Sequence, residues 1–242
     1  MEALPLHVMT LGAYYQCFQN RIATEYVLSN FRNHHPDSPI ILVSDGGDDF
    51  SDLARKYHCT YFWRPNIKSC RGKALAYNYD NWMLWWNDFR KYVGMLDTDY
   101  MIFLEDDVAV RKPISLAQLL YDVNGISLTM SLARFDLKGI SKNRSMVGAQ
   151  GGAVFRMKFL RTLFVSSETD VTFAKYRREM KSSSLKGKWC TDILLSILTW
   201  RHGGTMGDWF GYCRMTDSDY VTRISNNNIE VLHLYKELYP NK

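Results

Sequence analysis

Residues 100–110, YMIFLEDDVAV, constrain this chain more than any other segment. Tyr100, Met101, Ile102, Phe103 and Leu104 form an apolar run that ends in three carboxylates, Glu105, Asp106 and Asp107. The run has the length and composition of a strand buried on both faces of a parallel sheet. Unpaired carboxylates are too costly to bury inside such a strand. The acids therefore belong where the strand leaves the sheet at its carboxyl end, which is where open α/β sheets place their ligands. Carboxylates this close repel one another unless a cation joins them. An oxygen-rich cluster suits Mg²⁺ or Mn²⁺, which commonly bridge protein carboxylates to phosphate. The plainer alternative is an acidic turn facing solvent.

The rest of the first half alternates strand and helix. Residues 6–11 read as a first strand, and residues 14–32 as a helix with apolar positions at Phe18, Ile22, Tyr26, Val27 and Phe31. After a turn punctuated by Pro36 and Pro39, residues 39–44 form a second buried strand that ends in Asp45-Gly46-Gly47. A short helix over 50–57, a strand over 60–63 and a helix over 73–93 precede the acidic strand. This alternation predicts βαβ units and a mostly parallel sheet. In the second half, residues 126–135, 152–157 and 229–234 read as strands. Residues 159–164, 171–181 and 191–200 read as helices, the last ended by His202-Gly203-Gly204 as a C-cap. No repeat or linker divides the chain, so one domain over 1–242 is expected, with a nucleotide-binding half (1–110) and an acceptor-binding half (111–242).

Composition bounds the function classes. Hydrophobic residues make up 46% of 242 positions, enough for a sizeable core. No stretch reaches the roughly 18 apolar residues of a bilayer span, and the first residues do not read as a secretory signal. The five cysteines are scattered without a CxxC pair, which predicts free thiols in a reducing compartment. A net charge of +5 is a mild bias that fits an anionic small ligand or an anionic surface and not a dedicated nucleic-acid binder. A soluble, cytoplasmic protein without a transmembrane segment is the expectation, from a bacterium or from the host cytoplasm of a large DNA virus.

Three loops should meet if the sheet is doubly wound. Thr10-Leu11-Gly12 closes the expected first strand, Asp45-Gly46-Gly47 the second, and Glu105-Asp106-Asp107 the fourth. Asp45 has the chemistry to accept hydrogen bonds from a nucleobase or ribose, or it serves only as a turn residue. Arg71 and Lys73 stand before a helix, where two cations and the helix N-terminus favour phosphate. Neither GxxxxGK[ST] nor GxGxxG occurs, so ATPase and dinucleotide-dehydrogenase readings lose support. Gly151 and Gly152, before Ala153, allow close backbone approach to a ligand or mark a bulge. Trp82, Trp85 and Trp86 sit at helical spacing and read as core. Trp209, Phe210 and Tyr212 lie in a Gly-flanked stretch, where they either stack against a sugar or fill core.

The order strand-Asp-Gly, then RGKALAYN, then an apolar strand ending EDD, then Gly-Gly-Ala resembles the GT-A family of nucleotide-sugar-dependent glycosyltransferases. The family's DxD element binds a divalent cation and the diphosphate of the donor, and stands here as Glu105-Asp106-Asp107. The resemblance implies a GT-A fold: α/β, Rossmann-like, with a mostly parallel central sheet flanked by helices. It makes Asp107 a direct metal ligand and gives Glu105 and Asp106 donor-site roles, Asp106 contacting ribose or metal. Asp45 matches the nucleobase-contacting acid. Arg71, Lys73 and Asn78 match the donor-side G-K-x-x-A-x-N segment, and Gly151, Gly152 and Ala153 the segment beside the donor sugar; Thr10 joins the same donor-binding set. Some members take a further metal ligand from a C-terminal histidine, here His233, with Tyr235 or Lys236 near the diphosphate. A hydrogen-bonded structural histidine is the alternative. Asp192, in Trp189-Cys190-Thr191-Asp192, matches the acid beside the acceptor, which is the general base in inverting members; alone, it reads equally as a helix cap.

The resulting expectation is a Mn²⁺- or Mg²⁺-dependent enzyme. It would transfer a sugar from a nucleotide sugar, a UDP-sugar first, to a glycan or glycoprotein hydroxyl by an inverting displacement with Asp192 as base. Retaining transfer on the same fold is the runner-up, with Asp192 positioning substrate. A sugar-phosphate nucleotidyltransferase is disfavoured because residues 11–15 hold one glycine and no arginine. A non-catalytic glycan-binding relative is disfavoured by the intact acid cluster.

Overall fold

Strand β1 (Leu11–Cys17) lies between two parallel neighbours, β2 (Ile40–Asp45) and β4 (Tyr100–Leu104). It is buried along nearly its whole length, which is why LGAYYQC shows no polar–apolar alternation. The expected strand over 6–11 is therefore displaced: the strand begins at Leu11, where it was expected to end. The computed structural model describes residues 8–64, 79–116, 126–127, 151–170, 195–196, 198–199, 201–204, 206–207, 211–214, 220–227 and 229–234.

The central sheet also contains β3 (Cys59–Arg64), β6 (Ile126–Ser127), β7 (Val154–Arg156) and β8 (Met206–Gly207), in the order β3-β2-β1-β4-β7-β6-β8. Strands β3, β2, β1 and β4 run parallel, and β7 is antiparallel to both β4 and β6. A second sheet of three short strands holds β5 (Val108–Val110), β10 (Val231–His233) and β9 (Tyr212–Arg214), in that order. Strand β10 is antiparallel to β5 and parallel to β9.

Helix α1 (Arg21–His34) starts seven residues later than the sequence predicts. Asn20 caps it, its side chain accepting from the Ala23 N–H at 3.0 Å. Ala23, Val27, Leu28 and Phe31 form its buried stripe, at the spacing of one helix face. Ile22 and Tyr26, expected on that face, instead point outward and are 70% and 41% exposed. Helix α2 (Ser51–Lys56) joins β2 to β3, as expected. Helix α3 (Tyr79–Val93) buries Trp85, Trp86 and Phe89, the core role read for this stretch. Phe89 stacks on Trp85 with ring centroids 4.8 Å apart and meets Tyr14 of β1 edge-on at 5.1 Å. Helix α4 (Met157–Val165) follows β7 and reaches the same cluster through Phe164, 5.7 Å from Trp86. Thus α3 and α4 cover one face of the sheet, and α1 with the small sheet covers the other. Helix α5 (Tyr220–Ser225) lies between β9 and β10 in sequence. His202 and Gly203 end a helical turn as expected: Gly203 has φ +77°, and the Gly204 N–H reaches the Thr199 carbonyl at 2.8 Å. No described helix is long and apolar enough to cross a membrane.

After β5 the chain is held from two sides. His35 Nε2 accepts the Ile114 N–H at 3.2 Å, and Glu230 Oε2 accepts the Ser115 N–H at 3.0 Å. His35 also stacks on Phe31. Burial, with a lesser contribution from neighbouring His34, lowers the His35 pKa from 6.5 to about 4. A depressed base binds fewer protons folded than unfolded, so its stabilisation is present above the unfolded pKa and is lost as pH falls from about 6.5 to about 4. His35→Ala should cost about 1–2 kcal/mol at pH 7, and this cost should shrink as pH falls through that window. Urea titrations of both proteins at several pH values measure it; a cost that does not change with pH contradicts the assignment.

Candidate active site

Strand β4 ends at Leu104, and the next three residues are the acids. The Val108 N–H bonds the Glu105 carbonyl at 3.1 Å, closing a tight turn that carries the chain directly into β5 of the small sheet. The acids therefore lie at the carboxyl edge of the parallel strands, as their sequence predicts, but the turn aims them differently. Asp106 is 2% exposed and accepts the Tyr15 hydroxyl at 2.9 Å. Burial, and then the Asp106 charge, push the Tyr15 hydroxyl well above its ordinary pKa, so it stays protonated and keeps donating. Asp106 thus turns into the protein, where the Tyr15 hydroxyl holds it.

Glu105 and Asp107 instead converge with His233. Each of the three offers one ligand atom, and these atoms lie within 4.8 Å of one another. His233 Nε2 is 3.2 Å from Asp107 Oδ1, and the Leu234 N–H bonds the Asp107 carbonyl at 2.7 Å. On its other side, His233 Nδ1 is 2.9 Å from the Tyr212 hydroxyl. The residues fit a divalent cation. Ligands on one small cation lie up to about 4 Å apart, so small side-chain movements suffice. Two carboxylates suit Mg²⁺ and Mn²⁺, and an imidazole beside them favours a transition ion.

Gly151, Gly152 and Ala153 stand against the same turn. The Gly152 N–H bonds the Phe103 carbonyl at 2.6 Å, and the Ala153 carbonyl accepts the Phe103 N–H at 2.9 Å. A Cβ on Gly151 would lie 2.9 Å from Glu105 Oε2. Gly152 has φ +90°, and a Cβ there would meet the Tyr212 ring at 2.8 Å. The two glycines keep the space beside Glu105 clear and let Tyr212 close in behind them.

Asp45 ends β2 at the same edge but is buried, at 2% exposure. Gln16 Nε2 donates to its Oδ2 at 2.8 Å, and the Trp85 indole donates to Gln16 Oε1 at 2.9 Å. Arg64, 8% exposed, places Nη1 3.4 Å from Asp45 Oδ1 and Nη2 2.6 Å from Asp88. The second contact is short but poorly aligned, so it acts as an ion pair and not as a directed hydrogen bond. Among the described residues, Asp45 Oδ1 receives no directed hydrogen bond. Burial raises the Asp88 pKa, partly offset by Arg64.

Thr10 is the misplaced candidate. It precedes β1, and its backbone N–H and hydroxyl both bond Asp99 Oδ2, at 2.8 and 3.0 Å. With β1 running 11–17, Thr10 sits at the amino edge of the sheet, about 20 Å of strand from the acids. Arg71, Lys73, Asn78, Asp192, Tyr235, Lys236, Trp209 and Phe210 lie outside the described residues. Tyr212 is 2% exposed in β9, so it is a core residue. Sequence reasoning missed Tyr15, Gln16 and Arg64, whose contacts depend on strand pairing. An arginine ending a strand beside an acid-terminated one was the signal available for Arg64.

No family model matches the sequence, and no curated protein is similar to it. Solved structures do match in shape. The galactosyltransferase LgtC, in complex with donor and acceptor sugar analogues, superposes with a TM-score of 0.56 at 12% identity, over 92% of this chain and 87% of that one. Mouse xyloside xylosyltransferase 1 gives 0.55 at 9% identity, over 96% and 100%. The bifunctional glycosyltransferase WbbM gives 0.54 at 12% identity, over 97% of this chain and 47% of that one. The chain has the GT-A fold. Its mostly parallel sheet and the acid turn after β4 agree with the sequence resemblance, which did not call for the reversed β7.

Gly152→Ala should destabilise the protein by about 1–3 kcal/mol, through a strained φ and the contact with Tyr212. A urea midpoint equal to that of the unmodified protein would remove the steric requirement argued for this glycine.

Proposed function

We propose that the protein is a glycosyltransferase that moves a sugar from a nucleotide diphosphate donor, a UDP-sugar, to a hydroxyl of a glycan or glycoprotein acceptor. The observation that carries this reading is the convergence of Glu105, Asp107 and His233 at the carboxyl edge of a GT-A sheet, beside Gly151. The likeness to a galactosyltransferase that holds donor and acceptor analogues, and to a xylosyltransferase, supports it.

Glu105, Asp107 and His233 would hold Mn²⁺ or Mg²⁺, which when bound supplies positive charge to a leaving diphosphate. Gly151, Gly152 and Ala153 leave room for the donor sugar against the backbone. Asp45 Oδ1, held in place by Gln16 and Arg64, is the acceptor for a nucleobase or ribose N–H or O–H. Arg71 and Lys73 bring cations to the diphosphate, and Asn78 belongs to the same donor-side segment. In the transfer, the acceptor oxygen bonds to the anomeric carbon while the bond from that carbon to the phosphate oxygen breaks. Its electron pair leaves with the nucleoside diphosphate. In a single inverting displacement Asp192 takes the acceptor proton; in a retaining transfer it orients the acceptor.

Asp107→Ala should abolish Mn²⁺-dependent UDP binding in isothermal titration calorimetry, and EDTA should do the same to the unmodified protein. UDP binding that persists in either case contradicts the cation assignment. Asp192→Asn should keep donor affinity and lose transfer by about 10²–10⁴-fold, the range of general-base catalysis. Proton NMR of the first-formed product reads its anomeric configuration. An inverted product with that loss supports Asp192 as base; a retained product assigns it to positioning.

A further inference from the structure

His233 has two ring nitrogens with different neighbours. Nε2 faces Asp107 at 3.2 Å, inside the group completed by Glu105. Nδ1 lies 2.9 Å from the Tyr212 hydroxyl. Both residues are buried, His233 at 4% and Tyr212 at 2% exposure. A neutral imidazole carries one N–H, and the nitrogen that binds a cation must be the other. For Nε2 to offer its lone pair between the two carboxylates, the proton must stand on Nδ1 and needs an acceptor there. The Tyr212 oxygen is in that position.

Tyr212 is also held more firmly than a water or a surface side chain would be. It lies on β9, which pairs in parallel with β10 in the register Val231↔Tyr212 and His233↔Arg214. Its ring fills the space that Gly152 leaves by having no side chain. The hydroxyl therefore approaches Nδ1 from a fixed direction and constrains the plane of the His233 ring.

We propose that Tyr212 is the positioning residue of the cation site: it holds the plane of the His233 ring, and its hydroxyl oxygen accepts the Nδ1 proton in the tautomer that a cation on Nε2 requires. This rests on the cation reading given above. Outer partners of this kind typically change metal affinity by about 10–100-fold.

Tyr212→Phe keeps the ring and removes only the hydroxyl. Mn²⁺ binding, followed by electron paramagnetic resonance of the free ion, should weaken about 10–100-fold in this variant, and melting in EDTA should show it still folded. Equal Mn²⁺ affinity in the variant and the unmodified protein overturns the inference while leaving the cation site standing. Failure of the unmodified protein to bind Mn²⁺ overturns the cation reading itself. A second measurement needs no variant at Tyr212. Long-range ¹H–¹⁵N spectra of the Mg²⁺-loaded protein, assigned with His233→Ala, should show His233 protonated on Nδ1; protonation on Nε2 in the loaded protein overturns the proposal.

Discussion

The turn from Glu105 to Val108 is the constraint on which the rest of the site depends. Its single backbone bond sends the chain out of the central sheet and immediately into the small one. Strand β5 then pairs with β10, which places His233 opposite Val108 and within reach of Asp107. Without this sharp exit, residues 107 and 233 would have no reason to meet. Gly151, Gly152 and Ala153 close the arrangement, because the backbone bonds of Gly152 and Ala153 to Phe103 and the missing side chains of the two glycines bring this segment directly against the acids.

The same turn sorts three adjacent carboxylates by environment. Asp106 is turned inward, where the Tyr15 hydroxyl supplies the hydrogen bond that a buried acid requires. Glu105 and Asp107 are left at the rim with the imidazole. Like charges in sequence are thus separated in space: one is held by a core hydroxyl, and two stand beside His233. Tyr15, level with Leu104 in the pairing of β1 with β4, reaches the acid turn from the neighbouring strand.

A second buried charge group lies at the ends of β2 and β3. Arg64 sits between Asp45 and Asp88, and the chain of contacts continues through Gln16 to Trp85. Removing one member of such a buried pair generally costs more than the pair contributes, because the remaining charge is left without a partner. Asp45 is therefore held in one orientation by β1, β3 and α3 together.

The sequence alone determined the features that depend on local pattern. The apolar run of β4 had the right bounds, its acids lay at the carboxyl end, β2 ended in Asp45, and Gly151-Gly152 preceded a strand. The tryptophan spacing of α3 marked core. Local runs and helical periods suffice for these because each is written in consecutive residues. Only the tertiary structure decided where β1 begins, since a strand buried on both faces carries no alternation to set its ends, and this moved Thr10 to the wrong edge of the sheet. It also decided that Asp106 faces Tyr15 while Glu105 and Asp107 face His233, and that Tyr212 stands behind His233. Strands β5, β9 and β10 are three residues each, too short to leave a period in the sequence. The direction of their side chains is set by pairing between separate segments, β5 and β10 more than a hundred residues apart, and that is information only the folded chain contains.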